Sequence, residues 1–416
     1  MSALVLAVFL FLTIANYRTF RDLRYPPFIL SALWLGVMTV YYLSPITMHP
    51  VSLVTASIFV AAVVSFTFGG QLALALENDM EIRTVPGKPL QLHPAHPRVK
   101  KMLLLATVCF LPALVYKAGE LAELSGIDNL FVGLRVEVLS EDSPGYGVIG
   151  NASILSFLTT FLYSVELRKT RWEKLQYFLS VIVSFIYAVL ITGRTPFFLI
   201  IVVLLGIAAM ERRFTGKKLA AGVLAFLLSF GIFGLVLGKG GSLDASWSEN
   251  SSSMGQSLVI YTVGPLSAFD RLVGQDPMLS YGKNSFAGVL NVFYRLSGHT
   301  QISPIPEEVN VPFPINAYTG LRPVYLDFGI LGVILAFAFI GAASTYFYVR
   351  AAGGDKFYIL CYSLSLFPLL YVTFSDQYFA PMLSWAKYVF AGYLYFRVGH
   401  DRTRHSVSTQ GRQLSY

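Results

Sequence analysis

The chain has 416 residues, of which 55% are hydrophobic and only 13% are charged. Soluble domains carry roughly 25% charged residues, and the mean hydropathy here is +0.61, so a soluble globular enzyme is excluded. The net charge of +8 would suggest nucleic acid as a partner of a soluble protein, but in a membrane protein the basic residues must first be sorted by side of the membrane. The composition therefore predicts a polytopic membrane protein with no nucleic-acid partner.

Apolar runs recur along the chain at lengths that approach the roughly 20 residues of a membrane crossing. They lie at about 2–16, 28–46, 51–76, 102–116, 151–167, 175–192, 196–210, 219–237, 325–347, 357–373 and 380–396. We therefore predict an all-α polytopic protein with about eleven transmembrane helices, which forms one integral membrane domain over residues 1–416.

The distribution of basic residues predicts the orientation. If the amino terminus lies outside, the cytoplasmic segments carry 22 of the 31 Lys and Arg residues, as the positive-inside rule requires. The tail, 397–416, is then cytoplasmic. The two long outer segments are 117–150 and 238–324, and the second is a large loop between spans eight and nine. The pattern indicates that the protein acts on its outer face.

The large outer loop has internal order of its own. Residues 240–257 are rich in Gly, Ser and Asn, which predicts a mobile exit from the eighth span. Helical periodicity over 258–273 and 286–296 predicts two short amphipathic helices, which could pack on the bundle or lie in the membrane interface. Four prolines between 304 and 314 then predict an extended stretch.

Outer arginines are the most informative polar residues. The chain has no nucleotide-binding motif, so a reaction would draw on a gradient or on an activated substrate in the membrane. A guanidinium binds phosphate oxygens in a bidentate way, and several arginines converging on the outer leaflet would suit a lipid-linked diphosphate. The outer arginines are Arg135, Arg194, Arg271, Arg295 and Arg322.

Each arginine also has a structural interpretation that the sequence leaves open. Arg194, in a tight turn between spans six and seven, could anchor that turn to lipid headgroups, and Arg322 could pair with Asp327. Arg135 could pair with neighbouring glutamates in a solvated loop. Arg271 and Arg295 could cap helix dipoles at the ends of the two amphipathic segments.

Groups for acid–base chemistry are few. His299 is the single histidine of the large outer loop, and Asp327 and Asp376 lie at the membrane boundary, where desolvation can raise a carboxyl pKa. For these carboxylates, helix capping or pairing with arginine is the alternative. The outer aromatics, among them Tyr318 and Tyr325, could stack on sugars or anchor in the interface. No metal site and no cofactor are expected.

Four segments resemble the bacterial O-antigen polymerases, also called oligosaccharide repeat unit polymerases. They are VLITGRTPFFL at 189–199, YTVGPLSAFDRL at 261–272, SYGKNSFAGVLNVFYRLSG at 280–298 and NAYTGLRPVYLDFGILG at 316–332. The last segment carries most of the resemblance, since it enters a predicted span. The order and placement of the segments matter more than any one of them.

The resemblance implies an inner-membrane glycosyltransferase similar to the GT-C type, which works on the periplasmic face without a metal. Such enzymes transfer a growing glycan from undecaprenyl diphosphate to another lipid-linked repeat unit, in contact with membrane lipids and in some cases a chain-length regulator. The resemblance maps diphosphate-holding arginines onto Arg194 and Arg322, and also onto Arg135, Arg271 and Arg295. With the groups chosen from residue chemistry, the catalytic candidates are Arg194, Arg322, His299, Asp327 and Asp376. The substrate-binding candidates are Arg135, Arg271, Arg295, Asn316, Tyr318 and Tyr325.

Two alternatives belong to other functional classes. The related O-antigen ligases usually have a His-Asn pair where this chain has Ile315 and Asn316, which favours a polymerase and leaves the general base open. A transporter or lipid-glycan flippase would place polar residues at the middle of several spans. The middles of the spans here are almost uncharged, which favours glycosyl transfer.

Overall fold

The computed structural model describes residues 2–44, 46–81, 97–140, 143–166, 170–192, 194–211, 247–275, 278–303 and 306–398. Its helices are α1 (Ser2–Phe20), α2 (Pro26–Leu43), α3 (Leu53–Glu81), α4 (Pro97–Leu124), α5 (Leu130–Leu139), α6 (Asn151–Val165), α7 (Arg171–Leu190), α8 (Arg194–Met210), α9 (Trp247–Gly274), α10 (Ala287–Ser297), α11 (Arg322–Ala352), α12 (Lys356–Tyr371) and α13 (Met382–Tyr393). A 3₁₀ turn, Gly147–Gly150, precedes α6, and a π-helical turn, Leu394–Val398, extends α13. Two short antiparallel strands, β1 (Val309–Asn310) and β2 (Pro314–Ile315), lie in the proline-rich stretch.

The predicted all-α polytopic architecture is confirmed in its main feature. Within the described ranges, seven helices are long and apolar enough to cross a membrane, and Thr195–Met210 and Lys356–Tyr371 are shorter apolar helices. The predicted span 219–237 lies outside the described residues, and the predicted span 380–396 corresponds to α13 with its π-helical turn. The exact number of crossings therefore stays a prediction.

The chain forms two compact units, and each draws on separate stretches of sequence. Unit 1 is built from Met1–Pro86, Gly240–Arg350 and Ser365–Leu383, and unit 2 from Gly87–Lys239, Ala351–Leu364 and Ser384–Tyr416.

A series of aromatic contacts runs through the core of unit 1. Phe9 of α1 stacks on Trp34 of α2, Trp34 meets Phe59 of α3 with ring centroids 4.6 Å apart, and Phe59 meets Phe269 of α9 at 5.5 Å. Phe269 then makes an edge contact with Tyr325 of α11 at 5.3 Å. Because aromatic pairs add stability beyond the area they bury, the series fixes α9 and the start of α11 against the first three helices.

The two predicted helices of the large loop are present, but one differs from the prediction. Helix α9 begins at Trp247 rather than near residue 258, so the helix is longer than predicted and includes residues 247–257, while 240–246 lie outside the described residues. The second half of α9 is buried in unit 1, with Leu266 and Phe269 fully enclosed. Helix α10 has no buried residue and exposes Phe293 and Leu296.

Unit 2 contains a buried ion pair. Lys100 of α4 and Glu166, which follows α6, are 3% and 2% exposed, and Lys100 Nζ lies 3.2 Å from Glu166 Oε2. The Tyr395 hydroxyl donates to the same carboxylate oxygen at 2.6 Å, and Lys100 Nζ lies over the Tyr163 ring. Removing one partner of a pair buried this deeply is strongly destabilising, because the remaining charge is neither paired nor solvated.

We expect Lys100→Ala to lower the free energy of unfolding of the detergent-solubilised protein by about 3–5 kcal/mol, since it leaves the Glu166 charge buried and unpaired. The matched control is Lys117→Ala in the same helix, where Lys117 pairs with the half-exposed Glu120 at 2.8 Å. That exposed pair contributes about 0–1 kcal/mol. Denaturant titration followed by tryptophan fluorescence measures both, and equal effects would contradict the assignment.

Candidate functional site

Arg322 is positioned by the close approach of two backbone segments in unit 1. The Gly320 amide donates to the Val372 carbonyl at 2.6 Å, which ties the residues before α11 to the end of α12. A Cβ at position 320 would meet Val372 Cγ2 at 3.0 Å and the carbonyl oxygens of Val372 and Ser375 at 3.3 and 3.4 Å. Glycine is therefore what allows this contact, and Arg322, two residues later, is the first residue of α11.

The Arg322 side chain is partly buried and faces an aromatic ring rather than an acid. Its Cζ lies 5.1 Å from the centre of the Tyr318 ring, a cation–π geometry. The Tyr318 hydroxyl donates to the Glu307 carbonyl at 3.1 Å, and burial raises the pKa of Tyr318 although the charge of Arg322 opposes this. Among the described residues, no carboxylate forms a salt bridge with Arg322.

Buried polar atoms of Arg322 and of two other residues in unit 1 have no hydrogen-bond partner in the described part of the chain. They are Arg322 Nε, Thr319 Oγ1 and the Tyr378 hydroxyl. Buried polar atoms are nearly always hydrogen-bonded, and an unpaired one costs about 1–3 kcal/mol. All three atoms can donate a hydrogen bond, which makes them candidate donors to an anion.

Burial keeps one of these donors in its protonated form. Tyr378 has its pKa raised by burial, and the charge of Asp376 adds to the rise. The hydroxyl therefore remains protonated at neutral pH and can donate. Thr319 gives no signal in the sequence, because an isolated hydroxyl belongs to no pattern, and Tyr378 is one of several outer aromatics that the sequence does not distinguish from interface anchors.

Asp376 closes the turn that carries Tyr378. Its carboxylate accepts backbone N–H groups from Tyr378 at 2.9 Å, Phe379 at 3.0 Å and Ala380 at 2.8 Å. Burial raises the pKa of Asp376, while these N–H donors and the charge of Arg322 act in the opposite direction. Neither predicted alternative, helix capping nor a salt bridge with arginine, describes this carboxylate, because it closes a turn that precedes α13.

Asp327 holds a separate loop and does not pair with Arg322. Its fully buried carboxylate accepts from Ser280 Oγ at 2.7 Å, from the amide and side chain of Asn284 at 3.0 Å each, and from the Ser285 amide at 2.6 Å. Gly329, with φ 63° and ψ −153°, breaks α11 just beyond, in a region open only to glycine. Asp327 is thus a structural anchor in this fold.

The other site residues predicted in unit 1 do not contribute to the group of residues around Arg322 described above. Most of them are exposed, and Tyr325 is a packing residue. Arg271, Arg295, His299 and Asn316 are exposed. Arg295 donates to the Gln301 side chain at 3.2 Å, and the His299 ring lies near Tyr294. Tyr325 packs on Phe269, as described above. Among the described residues, no hydrogen bond, ion pair or ring contact joins Arg271, Arg295, His299 or Asn316 to Arg322.

In unit 2, two of the predicted arginines lie in neighbouring segments. Arg135 Nη1, on α5, donates to the Thr192 carbonyl at 3.2 Å, and Thr192 precedes the helix start at Arg194 by two residues. Thr192 has a φ of 55°, which marks the turn as tight. The Tyr146 hydroxyl also donates to the Leu190 carbonyl at the end of α7. The fold therefore joins α5 to the turn that carries Arg194.

No group of three or more His, Cys, Asp or Glu residues that could hold a metal ion occurs within the residues that the structure describes. The expectation of a metal-independent reaction stays a prediction.

Comparison with known proteins gives one informative relative. A curated protein from Shigella dysenteriae named "O-antigen polymerase" is 27% identical over 274 residues, which are 63% of this chain and 64% of the relative. This chain is similar to an O-antigen polymerase. The matched part spans less than two thirds of that relative's length. No family model matches the chain, and no solved structure matches it.

We expect Thr319→Val and Tyr378→Phe to leave the protein as stable as wild type or more stable, by up to about 1–3 kcal/mol, because each removes a buried group without a partner. Inorganic pyrophosphate should raise the melting temperature of wild type, since a ligand that binds the folded state stabilises it. The rise should be smaller in both variants.

Tyr348→Phe is the matched control for these substitutions. The Tyr348 hydroxyl donates to Asp22 Oδ2 at 2.7 Å, so its removal should lower the melting temperature and leave the effect of pyrophosphate unchanged. Thermal unfolding with and without pyrophosphate measures all three variants. A wild type that does not respond to pyrophosphate, or variants as destabilised as Tyr348→Phe, would contradict an anion site here.

Proposed function

We propose that this protein polymerises oligosaccharide repeat units carried on undecaprenyl diphosphate, on the periplasmic face of the bacterial inner membrane. Three observations support the proposal: the helical multi-pass architecture, the similarity to a protein named O-antigen polymerase, and the arginine-centred cluster of unit 1. A chain-length regulator is a further proposed partner, and the sugars of the repeat unit are left open.

The observation that carries the proposal is that Arg322 is half-buried and has no hydrogen-bond partner for its Nε among the described residues. A half-buried guanidinium with an unpaired Nε, beside unpaired hydroxyls of Thr319 and Tyr378, is suited to a ligand with several acceptor oxygens. A diphosphate has such oxygens and carries two or more negative charges at neutral pH. Hydrogen bonds between charged groups are about twice as strong as neutral ones, so the ligand would offset the cost of leaving these donors unpaired.

In the proposed reaction, a hydroxyl oxygen of the acceptor repeat unit attacks the anomeric carbon of the donor glycan. The bond between that carbon and the diphosphate oxygen breaks, and its electron pair leaves with the diphosphate. Arg322 and the neighbouring hydroxyls stabilise the charge that develops there, which is the largest contribution in many enzymes. The acceptor proton passes to a base or to water.

The remaining predicted residues keep narrower proposed roles. Asp376 orders the turn that presents Tyr378, and its charge acts on Arg322. Arg135 and Arg194, which lie in neighbouring segments of unit 2, keep phosphate binding as their proposed role. We assign no chemical step to Asp327, because its carboxylate is already occupied by four hydrogen bonds.

Replacing Arg322 tests the proposal in a strain of the source bacterium that lacks its own copy of the gene. Arg322→Ala should reduce the polysaccharide ladder to one repeat unit per lipid, because the loss of one such donor lowers a rate by about 10²–10³-fold. Arg322→Lys should restore only short ladders, since an ammonium lacks the bidentate geometry. Gel electrophoresis of the extracted polysaccharide measures the ladder.

Arg171→Ala is the matched control, because Arg171 is also the first residue of a helix, α7, but is exposed. Its ladder should equal that of wild type. Immunoblots of the membranes must show equal protein levels. A full ladder from Arg322→Ala at normal protein level would refute the proposal.

A further inference from the structure

The loop between α2 and α3 carries a histidine that is held firmly in place. The His49 carbonyl accepts from Ser267 Oγ of α9 at 2.7 Å and from the Tyr41 hydroxyl at 3.2 Å. The Val51 amide donates to the same Tyr41 hydroxyl at 2.9 Å. These contacts fix the backbone of the loop on both sides of the His49 ring, so the position of the ring is determined by α2 and α9.

The His49 ring faces a buried carboxylate. His49 Nε2 lies 3.4 Å from Asp270 Oδ2, and the side chains are 29% and 8% exposed. The other oxygen, Asp270 Oδ1, accepts the Ser52 amide at 2.7 Å. A carboxylate at Nε2 favours the tautomer with its hydrogen on Nε2, which leaves the lone pair on Nδ1. No hydrogen bond occupies Nδ1 among the residues described by the structure.

Direct contacts connect this pair with the Arg322 cluster. The His49 amide donates to the Val311 carbonyl at 3.5 Å, and Val311 packs in one buried cluster with Ala268, Ile315 and Tyr318. Tyr318 is the residue whose ring lies under the Arg322 guanidinium. Thus His49 contacts the same segment, 311–322, that carries Tyr318 and Arg322, so the histidine and the proposed diphosphate site share one structural element of unit 1.

We propose that His49 is the general base of glycosyl transfer and that Asp270 is its positioning residue. The inference rests on the proposed function. Neutral His49 takes the proton of the acceptor hydroxyl at Nδ1 while the oxygen bonds to the anomeric carbon, and the diphosphate leaves with the electron pair of the broken bond. The Asp270 carboxylate stabilises the imidazolium that forms, and the proton then passes to water.

The arrangement favours His49 over the other histidine of unit 1. His299 is exposed, with only the Tyr294 ring beside it, and no carboxylate orients it. The titratable groups that face His49 are Asp270 on α9 and Tyr41 on α2, while the segment bearing Val311 contributes Glu307 and Glu308 four and three residues before it.

The test uses the purified full-length protein and a carrier-lipid fraction extracted from the deletion strain, which supplies the natural repeat unit without its sugars being known. The rate of polymer formation is measured from pH 5 to pH 9. Wild type should lose activity on the acidic side, because a protonated His49 has no lone pair to take the acceptor proton. His49→Gln should be about 10²-fold slower or more, the contribution of a general base, and its rate should no longer fall at acidic pH.

Chemical rescue separates catalysis from structure. Added imidazole should restore part of the activity of His49→Ala, and a merely structural role would not respond to it. Asp270→Asn keeps an oxygen for the Ser52 amide but removes the charge. This variant should have a lower rate of polymer formation, and its rate should still fall at acidic pH. Tyr41→Phe is the matched control: it removes two hydrogen bonds from the same loop and should lower the melting temperature without changing the shape of the pH profile.

The outcomes distinguish the two proposals. If wild type forms no polymer from the carrier-lipid fraction at any pH, the proposed function fails. The assignment of His49 is overturned if wild type forms polymer but the rate of His49→Gln still falls at acidic pH. It is also overturned if His299→Gln, instead of His49→Gln, removes that fall in rate. In both cases the proposed function stands.

Discussion

The proposed chemistry of this protein depends on a guanidinium that is taken partly out of water without a salt bridge. Arg322 contacts the face of Tyr318, and its Nε has no partner among the described residues. Removing a charge from water is costly unless other groups compensate. In unit 2, Glu166 compensates the buried Lys100 in this way. For Arg322 we propose that an anionic ligand does so.

The carboxylates around this site stabilise backbone rather than neutralise the arginine. Asp376 collects three backbone N–H groups, and Asp327 fixes the loop from Ser280 to Ser285. Two glycines make the geometry possible: Gly320 allows close contact with Val372, and Gly329 adopts a conformation closed to other residues. The result is a rigid frame in which positive charge is available to a ligand, which suits a reaction whose leaving group is a polyanion.

The buried aromatic series of unit 1 connects this frame to the membrane helices. Phe269 lies between Phe59 of a long apolar helix and Tyr325 of the helix that Arg322 begins. The residue after Phe269 is Asp270, which faces His49. One turn of α9 therefore contributes both to the core and to a polar pair, so the packing of this helix sets the positions of the histidine and of the start of α11 together.

The sequence by itself determined the helical membrane architecture, because long apolar runs and sparse charge leave a chain few alternatives in a bilayer. It also indicated Arg322 and the helices of the large loop, since guanidinium chemistry and helical periodicity are local properties. Tertiary structure decided what those residues meet. Contacts between distant segments decide three things. Asp327 binds a loop and does not pair with Arg322, and Thr319 and Tyr378 are left without hydrogen-bond partners within the part of the chain that is described. His49 faces Asp270 although more than two hundred residues of sequence separate them. The sequence pattern of a single helix does not predict such contacts, because they form only when the helices pack against one another.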